Sequence, residues 1–170
     1  DLPLLAKRVC VLRTTPAPPL LEQVFGVANA NCAGRQDASG RLRVTTGIDD
    51  WAGDPAHWTR EALLPSITQT VDLIGRASAV LPALGALGFD EVWGGLIDMP
   101  PAGLPLIDRV GPEGLVAAAG FSGHGFGIAP AVGDIVRALA LGETHGFDLV
   151  PFRSGRFAAD APAAALALHG

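Results

Sequence analysis

The spacing of apolar residues changes along the chain, and each change marks a different element. Arg8–Thr14 (RVCVLRT) is Val-rich and reads as a strand, stopped by the Pro16–Pro19 cluster. Asp37–Gly40 (DASG) is a strong turn signal, and beyond it Leu42 and Val44 alternate with Arg41, Arg43 and Thr45. That alternation predicts a half-buried strand closing a hairpin with the small residues Asn29–Gly34. From Thr59 the period becomes helical. Leu64, Ile67, Val71 and Ile74 form an apolar stripe with Ser66, Gln69 and Asp72 between them. A helix is predicted from Arg60 or Pro65 to Val80, with Pro65 in its first turn and Pro82 closing it.

Glu91–Ile97 (EVWGGLI) is a further strand candidate, and the paired Pro100 and Pro101 in DMPPAGLPLID exclude a regular element there. Leu115–Ala119 is a continuous apolar run, as expected of a strand buried on both faces. It leads into the glycine-rich turn GFSGHGFGIAP at Gly120–Pro130, after which Pro130 is expected to open a helix. The apolar stripe of that helix is Val132, Ile135, Val136 and Leu139, and Gly142 ends it. The Ala-rich end beyond PFRSGRF is expected to fray, and no internal repeat is visible.

Composition narrows the picture. With 170 residues, 49% of them hydrophobic, the chain can bury a core, and disorder is excluded as a class. Only 17% of residues are charged and mean hydropathy is +0.35, so some apolar surface is expected to be covered by something else. A net charge of −5 without a basic, aromatic-interleaved stretch excludes nucleic acid as a partner. Cys10 and Cys32 have no zinc-like spacing and read as buried free thiols. No run approaches the roughly 20 apolar residues of a membrane span. The first residues lack signal-peptide order, so a cytoplasmic location is expected, or a membrane-peripheral one for a dehydrogenase.

The chemistry concentrates at Gly120–Pro130. Strand, glycine-rich turn and helix together aim backbone N–H groups and a positive helix end at whatever lies above the turn. Gly123, Gly125 and Gly127 remove side chains at alternate positions, which admits a flat ligand close to the backbone. The spacing is not GxGxxG. Ser122 raises a nucleophile-elbow reading, but His124 stands where that motif has its second glycine. A glycine-rich turn needed only for tight strand–helix packing also remains open on these grounds.

A resemblance shifts that balance. The run from Trp93 to Gly142 resembles the carboxyl-terminal part of the D-amino-acid oxidase superfamily, which includes glycine and sarcosine oxidases, D-amino-acid dehydrogenases and opine oxidase subunits. The specific segments are GFSGHGFGIAP and the PFRSGRF of Pro151–Phe157, and the weaker likeness extends back to residue 2. The resemblance implies an α+β chain, α/β at its cofactor end. An antiparallel substrate-domain sheet (residues 1–97) would be followed by the last strand and helix of a Rossmann-like FAD-binding domain (98–157) and a tail (158–170). The implied cofactor is FAD, bound through Gly123, His124, Gly125, Phe126, Gly127 and Ile128. The amides of Gly125–Ile128 would face the pyrimidine edge of the flavin, where charge develops on reduction. The implied reaction is hydride transfer to flavin from the carbon bearing nitrogen in an amine or amino acid.

Departures from the family pattern set further expectations. The GxGxxG half is not in this sequence, so the chain is expected to be a fragment, or to meet that half in a partner subunit, and to hold FAD poorly alone. Ile97 and Asp98 stand where amino-acid oxidases of the glycine-oxidase type carry Arg-Pro to grip the substrate carboxylate. Ile97 is then a substrate-side residue, and Arg8 is the candidate for the carboxylate. The stretch Pro100–Asp108 lacks the family's Thr, Asp and final Gly. His124 is expected to pack beside the flavin or set the turn rather than act as a base. The alternative to an enzyme is a non-catalytic subunit or scaffold half of a flavoprotein complex.

Overall fold

The structure is a computed structural model that describes residues 2–101 and 103–157. The chain divides into two compact units, one formed by Lys7–Leu96 and the other by residues 2–6 with the chain from Ile97 onward.

The first unit is built on a five-stranded sheet. Its strands are β1 (Leu5–Thr14), β2 (Phe25–Val27), β3 (Cys32–Gln36), β4 (Leu42–Asp50) and β5 (Phe89–Met99), in the order β2-β3-β4-β1-β5. The β3–β4 hairpin forms as the DASG signal predicts, with Gln36 opposite Leu42 and Cys32 opposite Thr46. Asp37 Oδ1 accepts from the Ser39 amide at 2.9 Å and the Arg41 amide at 3.3 Å, and Gly40 takes φ +80°. A Cβ at Gly40 would lie 2.7 Å from the Ala17 carbonyl, so glycine is required there twice over. Gln36 ties the proline cluster to this turn, its amide donating to the carbonyls of Pro18 and Gly40 at 2.9 Å each.

One sheet face is sealed by α2 (Ile67–Val80). Cys10, Leu12, Cys32 and Val44 from the strands meet Leu73, Ala77 and Leu84 in a buried cluster. Both cysteines are free and buried, and burial pushes both thiols above their ordinary pKa.

The helix differs from its prediction in two ways. Pro65 breaks it: Leu64 turns extended at ψ 135°, as a residue before proline prefers. A short α1 (Arg60–Leu63), capped by Thr59, precedes the break, and a new helix starts beyond it. Its start is a capping box. Ser66 Oγ accepts from the Gln69 amide at 3.2 Å, and Gln69 Oε1 accepts from the Ser66 amide at 2.9 Å. The helix also buries a shifted face: Leu73 and Ala77 are sealed, Ile74 of the predicted stripe packs half-buried beside them, and Leu64, Ile67 and Val71 stand exposed. Two apolar stripes share this helix, and periodicity alone does not choose between them.

The second unit holds a two-stranded ribbon and one helix: β6 (Leu106–Arg109), β7 (Val116–Ala119) and α3 (Gly125–Leu141). β6 and β7 pair antiparallel, Leu106 opposite Ala119 and Arg109 opposite Val116. This corrects two expectations. The Pro-rich stretch does yield a strand directly after Pro105, because a proline ahead of a strand costs no ladder bond. β7 is half-buried rather than buried on both faces, with Leu115 exposed.

One core cluster here joins Ile107, Ile135 and Leu149, with Phe121, Val132, Leu139 and Phe152 packed against it, and Met99, Leu106 and Ala138 are buried as well. Polar clamps supplement it. Asp108 Oδ2 accepts from the Ser154 amide at 2.9 Å and the Ser154 hydroxyl at 2.7 Å. Burial pushes the Asp108 carboxyl up, but these bonds, the Arg109 amide and the nearby Arg153 charge together hold it below the usual range. Arg156 donates to the carbonyls of Leu104, Pro105 and Pro151. PFRSGRF is thus a strap over the ribbon. The expected tail, 158–170, lies outside the described residues.

Candidate functional site

β7 ends at Gly120, whose φ of +74° and crowded surroundings both demand glycine. A Cβ there would meet Pro100 Cγ at 3.0 Å and Leu4 Cδ2 at 3.1 Å. The turn that follows is held from below by Asp98. Its carboxylate accepts from the Gly120 amide at 2.5 Å and its carbonyl from the Ser122 amide at 3.2 Å. Sequence reasoning marked Asp98 only as a departure from the family pattern. Nothing local reveals its role, because it lies 22 residues from the turn it clamps.

Ser122 adopts φ 52°, uncommon for a residue with a side chain, and is buried. Its hydroxyl lies 3.3 Å from the Gly120 carbonyl and 3.4 Å from the Gly103 carbonyl, and bonds to backbone alone. The nucleophile-elbow reading therefore lacks its first requirement, a Ser–His hydrogen bond. His124 instead places Nδ1 2.8 Å from the Ser122 carbonyl. A carbonyl only accepts, so Nδ1 carries the proton and donates, and His124 sets the turn.

α3 begins at Gly125, five residues before Pro130, so Pro130 lies inside the helix rather than opening it. Lacking an N–H, Pro130 leaves the Phe126 carbonyl without its intrahelical donor, which the exposed position of Phe126 tolerates. No side chain caps the helix start. The His124 amide is used by the Phe121 carbonyl at 2.8 Å. A helix starting at Gly125 commits the Ile128 amide to its first turn, which leaves the amides of Gly125, Phe126 and Gly127 as the outward donors.

The three alternating glycines have separate roles. Gly123 (φ +79°) makes the turn. At Gly125 a Cβ would press on Phe121 at 3.1 Å, so glycine there lets the helix seat on the core. At Gly127 a Cβ would meet nothing, and the space beyond it is open. Beside it Phe126 is 98% exposed and Ile128 is exposed too. At its other end the helix closes with Gly142 at φ 70°, and the Glu143 amide bonds the Ala138 carbonyl at 2.9 Å.

The two remaining predicted positions belong to different units. Ile97 is half-buried near the end of β5. Arg8 belongs to the sheet unit, next to a bulge in the β1–β4 pairing. Its guanidinium lies 3.5 Å from Asp49 Oδ2 and 3.5 Å from the Leu64 carbonyl, and its buried Nε has no hydrogen-bond partner. An incoming carboxylate would have to compete with Asp49.

The fold has counterparts among solved structures. Glycine oxidase from Geobacillus kaustophilus superposes with a TM-score of 0.77 at 22% identity, over 94% of this chain and 41% of that one. L-proline dehydrogenase from P. horikoshii also gives 0.77, at 24% identity, over 92% of this chain and 41% of that one. In sequence, N-methyl-L-tryptophan oxidase of Salmonella typhi is 50% identical over 53 residues, 31% of this chain and 14% of that protein. Residues 1–139 match the DAO family, described as FAD dependent oxidoreductase. The chain belongs to that FAD-dependent family, and it spans less than half the length of the relatives it matches.

Proposed function

We propose that the chain is the carboxyl-terminal part of an FAD-dependent oxidoreductase that oxidises the C–N bond of an amino acid or secondary amine. The observation that carries this reading is the start of α3: uncapped amides at Gly125, Phe126 and Gly127 above a turn clamped by Asp98. That donor set suits FAD, whose flavin is flat and carries acceptors along its pyrimidine edge, and the open space at Gly127 admits it. When bound, FAD accepts the hydride from the carbon bearing nitrogen. The chain's part is electrostatic and positional. The helix end favours negative charge near the amides, and Gly120, Ser122 and His124 keep those amides in place without reorganisation. Gly123, His124 and Ile128 complete the proposed cofactor wall.

In this proposal residues 1–97 form the substrate side, 98–157 the cofactor side, and a GxGxxG-bearing half comes from the same polypeptide or a partner subunit. The relatives' printed names, glycine, L-proline and N-methyl-L-tryptophan, support an amino-acid or N-alkyl amino-acid substrate. Ile97 lines the substrate side, and Arg8 takes a carboxylate only by exchanging it for Asp49. Joined to a nucleotide-binding half, the chain should give a yellow protein bleached by N-methyl amino acids. D98A should retain far less FAD than wild type. A yellow protein that no amine or amino acid reduces would instead establish a scaffold role.

A further inference from the structure

The strap PFRSGRF is fastened at two places, and the two do different things. Ser154 binds Asp108 within β6. Arg156 reaches past β6 to the residues that lead into it. Its Nη2 donates to the carbonyls of Leu104 and Pro105, the latter at 3.2 Å. Its Nη1 donates to the Pro151 carbonyl at 3.1 Å. The guanidinium also lies over the Phe157 ring, 4.3 Å from its centroid. Among the described residues it forms no ion pair. Fixing carbonyls on two separate segments, and not charge pairing, is what this side chain does here. A planar fork can span the two segments, whereas the single nitrogen of a lysine cannot.

The residues that Arg156 holds belong to the floor of the glycine-rich turn. Pro100 is fully buried, and a Cβ on Gly120 would meet its Cγ at 3.0 Å. The Gly103 amide bonds the Pro100 carbonyl at 3.1 Å, and the Gly103 carbonyl lies 3.4 Å from the Ser122 hydroxyl. Leu106 is fully buried and stands opposite Ala119, the last residue of β7 before the turn. Leu104 and Pro105 are therefore gripped between two points of contact with the turn, Gly103 under Ser122 and Leu106 beside Ala119.

We propose that Arg156 is a positioning residue for the outward amides of Gly125, Phe126 and Gly127, acting through residues 103–106 on Ala119 and Ser122. The role rests on the flavin reading above. All the groups belong to the second unit, so the linkage exists in the chain without FAD.

Hydrogen exchange on the chain without FAD reads that linkage. The amides of Gly120, Ser122 and His124 are all hydrogen-bonded, and in R156Q they should exchange about tenfold faster than in wild type. The interior of α3 and the β3–β4 hairpin should keep their wild-type rates, which shows that the variant is folded. S154A releases the other fastening and should leave exchange in the turn unchanged. Joined to a nucleotide-binding half, R156Q should hold FAD about tenfold more weakly. Its bound flavin should also have a lower midpoint potential, because displaced amides stabilise the reduced anion less. S154A should match wild type in both. Wild-type exchange at the turn in R156Q, acceleration spread equally through α3, or equal acceleration in S154A would overturn the proposal. So would faster exchange in R156Q with FAD affinity and potential unmoved. A joined wild-type protein that takes up no FAD would overturn the flavin reading, and the exchange rates alone would then decide whether Arg156 sets the turn.

Discussion

The two units hold their shapes by different means. In the sheet unit, strands and α2 bury a continuous apolar cluster around Leu12, Val44, Leu73 and Ala77, and the ladder repeats the same interaction at every register position. In the second unit the buried apolar residues are fewer, Met99, Leu106, Ile107, Ile135, Ala138 and Leu149, and side-chain clamps add to them: Asp98 under the glycine-rich turn, Asp108 on Ser154, Arg156 on three carbonyls. Hydrophobic burial is non-directional and tolerates small shifts. Hydrogen-bonded clamps are directional and place amides to within a fraction of an ångström. The unit that, in the proposed function, presents backbone donors to the flavin is the one with the clamps.

This contrast can be broken from either side. The largest effect is expected from L73A, which removes a fully buried side chain from the sheet core. It should cost about 2–5 kcal/mol in denaturant unfolding followed by tryptophan fluorescence. All three tryptophans lie in that unit, so the probe reports on it alone.

Next is G120A, which places a Cβ at positive φ and against Pro100. It should cost about 2–4 kcal/mol from backbone strain and crowding. Its effect should appear as faster amide exchange at 120–127, with the tryptophan-reported midpoint little moved. An unchanged exchange pattern would count against Gly120 as the pivot of the turn.

S154A should cost about 1–2 kcal/mol at neutral pH by removing a bond to a charged group. Its pH dependence sharpens the comparison. Asp108 has a folded pKa below its unfolded one, so its contribution is present above the unfolded value, about 3.9. The contribution is lost as pH falls through the folded value. The stability gap between wild type and S154A should therefore narrow below about pH 4, and a gap constant down to strong acid would show that Asp108 is not the partner that matters. The smallest effect, about 1 kcal/mol, is expected from S66A, which removes the α2 cap while leaving the sheet core intact.

Much of this was legible in local sequence. DASG between alternating residues specified the β3–β4 hairpin, because a turn with positive φ and period-two burial leave little choice of register. Strand, glycine-rich turn and helix were legible around Gly120, and the family pattern in GFSGHGFGIAP pointed to the flavin. The stop at Gly142 followed from its freedom to turn left-handed. Other features were hidden because they depend on which of two local solutions packs. The stripe Leu64, Ile67, Val71 and Ile74 is as periodic as the one that is buried, and the sheet selected Leu73 and Ala77, with only Ile74 of the stripe packed beside them. Pro130 reads as a helix opener, yet α3 starts at Gly125, because the turn and the seating of Gly125 on Phe121 set the start earlier.

By itself, then, the sequence determined the β3–β4 hairpin, the strand, glycine-rich turn and helix around Gly120, the two free buried thiols, and the family to which the chain belongs. These follow from short-range periodicity, backbone permission at glycine and proline, and motif spacing. Only the tertiary structure decided that Asp98 clamps a turn 22 residues away and that Arg13, Arg35 and Arg43 stand in one row. It also decided that three amides at the start of α3 face outward without a cap. The physical reason is the same in each case. These features are contacts between distant segments, and strand register and helix packing set them after the local elements have formed.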